Sequence, residues 1–133
     1  MKQLLIFTTG LCLLLAGHFF PAKAVTGFVT HADVTWQAEH HRYHRHYNSP
    51  EKIQKLLYYL RTLRPRGTAN IDPETLSGSI CKIVLHFQGG KRQIYYQQSD
   101  RYLSIDARPW ERIQPIQAAK LYSLLEEMPS DLP

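Results

Sequence analysis

The segment 28–47, FVTHADVTWQAEHHRYHRHY, decides how this chain is read. In its first half Phe28, Thr30, Ala32, Val34 and Trp36 fall on one side, and Val29, His31, Asp33 and Thr35 on the other. Successive side chains of a strand point to opposite faces, so this alternation predicts a half-buried strand. Arg42 to Tyr47 alternates again, with Tyr43, Arg45 and Tyr47 set against Arg42, His44 and His46. The two runs form a hairpin turning near Ala38 to His41. Placing Trp36 and Val34 with Tyr43 and Tyr47 requires an even number of loop residues, because a slip of one reverses every side chain.

That register carries a chemical consequence. With Trp36 opposite Tyr43, Asp33 faces His46, Thr35 faces His44, and His31 lies one step along from Asp33. Direct neighbours across a ladder are about 5 Å apart, and i to i+2 neighbours about 7 Å. Imidazole and carboxylate are the usual ligands of zinc, copper and nickel. His31, Asp33, His44 and His46 are therefore candidate metal ligands. A surface gaining positive charge near pH 6.5 is a second reading of the same residues. The plain alternative is the polar outer face of a strand. Arg42 and Arg45 interleave with the histidines and oppose a cation, and no Cys-x-x-Cys or His-Glu-x-x-His spacing is present. His40 and His41 fall in the turn.

A helix follows the hairpin. Ser49 suits its cap, Pro50 its first turn, and Glu51 its positive end. Ile53, Leu56, Leu57, Leu60 and Leu63 share one helical face, and Pro65 and Gly67 end it. Residues 64–79 are polar and turn-rich, with a single helical turn expected at Asp72-Pro73-Glu74. Ile80 to Gln88 and Lys91 to Gln97 flank Gly89-Gly90, which predicts a second hairpin with a two-residue loop. Leu85 then pairs with Ile94, and Ile83 with Tyr96. Cys81, Ile83, Leu85, Phe87, Ile94 and Tyr96 face the core, and Val84, His86, Tyr95 and Gln97 face outward. Tyr95 becomes the candidate for an exposed binding contact. A short strand at Tyr102 to Ile105, a turn, a return strand at Trp110 to Ile113 and a Pro115-started helix to Glu127 complete the chain. The tail SDLP is expected to be loose.

The two halves resemble each other, each a hairpin followed by a Pro-started helix. The fold expected is α+β: a mainly antiparallel sheet from two hairpin-helix units, with the helices packed on one face. Its core is expected to hold Trp36, Tyr43, Leu56, Leu60, Ile83, Leu85, Phe87, Ile94, Leu121, Leu124 and Leu125.

Residues 1–24 have the layout of a secretory signal peptide: Lys2, an uncharged run over residues 4–20, and Ala22-Lys23-Ala24 before a cleavage point. The run of 17 residues is at the short limit for a membrane span, so an uncleaved anchor is the alternative. Membrane contact is expected only in that case. Cleavage leaves residues 25–133 as one domain, secreted or surface-retained. Of the 16 basic residues Lys2 and Lys23 are removed, leaving 14 against 11 acidic, a net charge of +3. Those cations are scattered, which excludes the basic stripe of a nucleic-acid binder. Only Cys81 remains, so no internal disulfide can form, and a chain of this size must rely on its core.

Catalytic groupings are poor. Cys81 and His86 are five apart on a strand and so point to opposite faces. No Gly-x-Ser-x-Gly elbow or phosphate loop occurs, and Glu126-Glu127 lies at a helix end. A site assembled from distant residues, around His86 or Asp100, is the enzymatic alternative.

The pieces YNSPEKIQKLLYYLRTLRP, DPETLSG, IVLHFQGGKRQIYYQQSDRYL, PWERI and LLEEMPSD, within residues 47–131, resemble a group of small uncharacterised secreted or membrane-anchored proteins of Gram-positive bacteria. That resemblance implies an exported single domain and assigns no activity. The histidine-rich stretch lies outside it. The expected function is a non-enzymatic binding domain for an unknown protein or cell-envelope ligand. Metal or pH sensing through the His-rich hairpin is the alternative.

Overall fold

The computed structural model describes residues 28–70 and 79–132. The signal-like segment and the Asp72–Glu74 turn lie outside those residues. Among the described residues six strands and three helical segments follow in order: β1 (Val29–Ala38), β2 (His41–Tyr47), α1 (Pro50–Thr62), β3 (Ile80–Phe87), β4 (Arg92–Gln98), β5 (Tyr102–Ile105), β6 (Glu111–Arg112), α2 (Pro115–Ala118) and α3 (Lys120–Glu127). The strands form one antiparallel sheet in the order β2-β1-β3-β4-β5-β6. The fold is α+β, with the helices packed on one face of the sheet. No described helix is long and apolar enough to cross a membrane.

The first hairpin has the expected register: Trp36 opposite Tyr43, Thr35 opposite His44, Asp33 opposite His46. Glu39 and His40 make a two-residue turn, both at positive φ, 49° and 69°. Such mirror-image turns match the twist of the flanking strands, and here the chain makes one without glycine.

The second hairpin differs from expectation by one residue. Leu85 pairs with Gln93, Ile83 with Tyr95 and Cys81 with Gln97. Phe87 N–H donates to the Lys91 carbonyl, so Gln88, Gly89 and Gly90 form a three-residue loop. Gly89 and Gly90 have φ of 97° and 93°, values that other residues rarely adopt. The slip turns Gln93, Tyr95 and Gln97 to the core and Ile94 and Tyr96 to the open face. The inward glutamines are partnered. The Tyr59 hydroxyl donates to Gln97 Oε1 at 2.5 Å, Gln97 Nε2 donates to the Ala118 and Ser99 carbonyls, and the Tyr95 hydroxyl donates to Gln93 Oε1 at 2.8 Å. A buried amide with partners costs little, so period-two apolarity misplaces this strand.

The core lies between the sheet and the helices. Ala32, Val34, Tyr47, Cys81, Ile83 and Leu85 meet Ile53, Leu56, Tyr59, Leu60, Leu63, Leu121, Leu125 and Met128. Cys81 is fully buried, and burial raises its thiol to about 12, which makes it a packing residue. Two expected core residues are not there: Ile94 faces outward with the slipped strand, and Tyr43 is 39% exposed while stacking on Trp36. The expected final helix is split at Ala119 into α2 and α3.

The tail is docked, not loose. Asp131 N–H donates to the His46 carbonyl, and His46 N–H donates to Ser130 Oγ, both along the outer edge of β2. Asp131 Oδ2 accepts from the backbone N–H of Asn48 and Ser49 at 2.9 Å, while Oδ1 pairs with Lys52 at 2.8 Å. Ser49 makes no side-chain cap of its own, so Asp131 serves the N-terminal region of α1 from outside the helix.

Candidate metal centre on the open sheet face

The first and second hairpins join through β1 and β3, pairing Asp33 with Val84 and His31 with His86. One extra residue, Thr30, interrupts β1 between Val29 and His31. The bulge lets Val29 pack on the core side with Phe87, its partner, while His31 and Asp33 keep to the open face. Bulges of this kind re-aim side chains, and this one sits beside His31.

Asp33 stands on β1 between β2 and β3. Its Oδ1 accepts from His46 Nδ1 at 2.9 Å and His44 Nε2 at 3.2 Å. Its Oδ2 lies 3.1 Å from His86 Nε2. The His31 ring stacks on His86, with centroids 4.0 Å apart and planes 12° apart, and lies 5.7 Å from His46. One ligand atom each from His31, Asp33 and His86 falls within 4.8 Å of the other two.

Thr30 selects the tautomer of neutral His31. Its hydroxyl lies 3.2 Å from the His86 carbonyl and 3.0 Å from His31 Nδ1. A carbonyl only accepts, so the hydroxyl proton goes there, and His31 Nδ1–H donates to Oγ1. Nε2 of neutral His31 is left with a free lone pair. Burial and the adjacent His86 ring lower the His31 pKa below 6.5, against the pull of Asp33. Burial by itself raises the Asp33 carboxyl. Hydrogen bonds and charge from His46, His44 and His86 outweigh it and hold Asp33 below 3.8. At neutral pH the cluster presents an ionised carboxylate and a neutral imidazole, the forms that bind a cation.

His31, Asp33, His44 and His46, expected on one face from the alternation of the two strands, do come together there. The structure divides their work differently. His44 and His46 hold the Oδ1 side of Asp33, and the residue that joins His31 and Asp33 in a group able to hold a metal ion is His86. His86 escaped detection because β1–β3 pairing is not a local pattern. The available signal was its outward parity opposite Cys81. His40 and His41 stay exposed at the turn end. Tyr95 is not an exposed contact: it is 3% accessible, because the three-residue loop turns it inward.

The fold and this cluster define an antiparallel α+β domain with a histidine-carboxylate cluster on the sheet face opposite the described helices. Comparison with family models, curated proteins and solved structures found no match.

Proposed function

We propose that this chain is an exported, non-enzymatic binding domain whose ligand is a divalent transition-metal ion, held by His31, Asp33 and His86. The convergence of those three ligand atoms within 4.8 Å carries the reading. Zinc bonds of about 2.0–2.2 Å set tetrahedral ligand atoms roughly 3.3 Å apart. The 3.1 Å between His86 Nε2 and Asp33 Oδ2 is already near that spacing. Imidazole ligands favour zinc, copper or nickel over calcium or magnesium. The hydrogen bonds of His44 and His46 to Oδ1, and of Thr30 to His31, are the outer supports that metal ligands use. Export is supported by the signal-like layout of residues 1–24.

Calorimetric titration of the chain lacking residues 1–24 with zinc, copper and nickel tests this. The expected result is stoichiometric, sub-micromolar binding that is lost in His31→Ala and His86→Ala. Equal binding by those variants, or no binding by the parent chain, rejects it.

A further inference from the structure

We propose that a metal ion at this centre keeps one coordination position open to solvent, and that a small oxyanion, phosphate or carboxylate, occupies it with Arg92 as its second contact. This rests on the metal reading above. The three ligands rise from adjacent strands of one sheet face, so among the described residues an ion above them is held from below only. His44 and His46 are turned to Asp33 Oδ1 and are committed there. Three protein ligands and one free position is the arrangement in which zinc takes exchangeable ligands.

Charge selects the class of ligand. A divalent ion on one carboxylate and two neutral imidazoles leaves a net positive centre. Arg92 is the direct cross-strand partner of His86 on the same face, about 5 Å away between Cβ atoms by ladder geometry. It is exposed and has no ion pair among the described residues. Lys82, also on this face, lies over the Tyr96 ring at 6.0 Å. Asp106 is occupied by the backbone N–H of Ile94. An oxyanion bridging the metal and a guanidinium suits this arrangement, since arginine presents paired donors to such oxygens.

The test is absorption spectroscopy of the cobalt(II)-loaded protein, titrated with inorganic phosphate, acetate and neutral imidazole. Saturable shifts with all three are expected. Arg92→Gln should weaken phosphate about five- to tenfold, as loss of one partly exposed charge-assisted contact does. It should leave imidazole and cobalt affinity unchanged. Cobalt binding with no response to any added ligand means the position is closed, and overturns the proposal while sparing the metal reading. A phosphate response identical in Arg92→Gln removes the second contact. Failure to bind cobalt, zinc, copper or nickel overturns both.

Discussion

Three imidazoles reach the two oxygens of Asp33 within 3.2 Å, and their division between those oxygens gives each histidine a different expected weight. In the proposed centre His31 and His86 would hold the ion, so alanine at either is expected to abolish binding. His46 supports the carboxylate through its better-shielded bond, and His46→Ala should lower zinc affinity about 10- to 100-fold, the usual effect of losing an outer support. His40→Ala, at the turn, should change nothing. Titration calorimetry of the four variants ranks them. The same residues set a pH dependence. His31 has a lowered folded pKa, so the unfolded chain takes up its proton first. Its contribution to stability is full above pH 6.5 and falls as the pH drops below it. Asp33, also lowered, adds a loss of the same sign below about 3.8. Urea melts of the metal-free protein should show stability declining from pH 7 to pH 5. In His31→Ala that decline should be smaller.

The β1–β2 hairpin could be read down to its register because two alternating runs and an even loop leave few choices. What the sequence hid there was strain: Glu39 and His40 both sit in the left-handed region, which costs a non-glycine residue about 1 kcal/mol or more. Replacing Glu39-His40 with Asn-Gly should stabilise the protein by about 1 kcal/mol, read as a higher urea midpoint at unchanged slope. The β3–β4 hairpin misled for a chemical reason. Gln93 and Gln97 look like surface residues, yet Tyr95, Tyr59 and Ala118 supply their partners inside. No period in the sequence reports a partner that arrives from α1 or α2. The tail misled similarly. Asp131 has no local reason to be ordered, and its donors lie some eighty residues earlier in Asn48, Ser49 and Lys52. Those donors hold its carboxyl far below the usual range. Asp131→Ala should lower the melting temperature at pH 7 and speed carboxypeptidase digestion of the tail. If both are unchanged, the docking contributes nothing.

Across the whole molecule, the feature that creates the centre is the meeting of two hairpins at β1 and β3. Each hairpin alone carries part of the set: His31, Asp33, His44 and His46 on one, His86 and Arg92 on the other. The helices cover the opposite face and bury Ala32, Val34, Ile83 and Leu85, which fixes the register that sets His31 beside His86. The fold class was legible from alternation and helical spacing. The full candidate site was not, because the placement of His86 depends on a strand pairing some fifty residues apart.

The proposed His31–Asp33–His86 centre is tested by imidazole nitrogen chemical shifts, followed by nuclear magnetic resonance during a zinc titration. That centre predicts that Nε2 of His31 and His86 move to metal-bound values at one equivalent. Nδ1 of His31 stays protonated against Thr30, and His40 and His41 do not respond. Zinc shifts centred on His40, His41 and His44, with His86 unmoved, would contradict it.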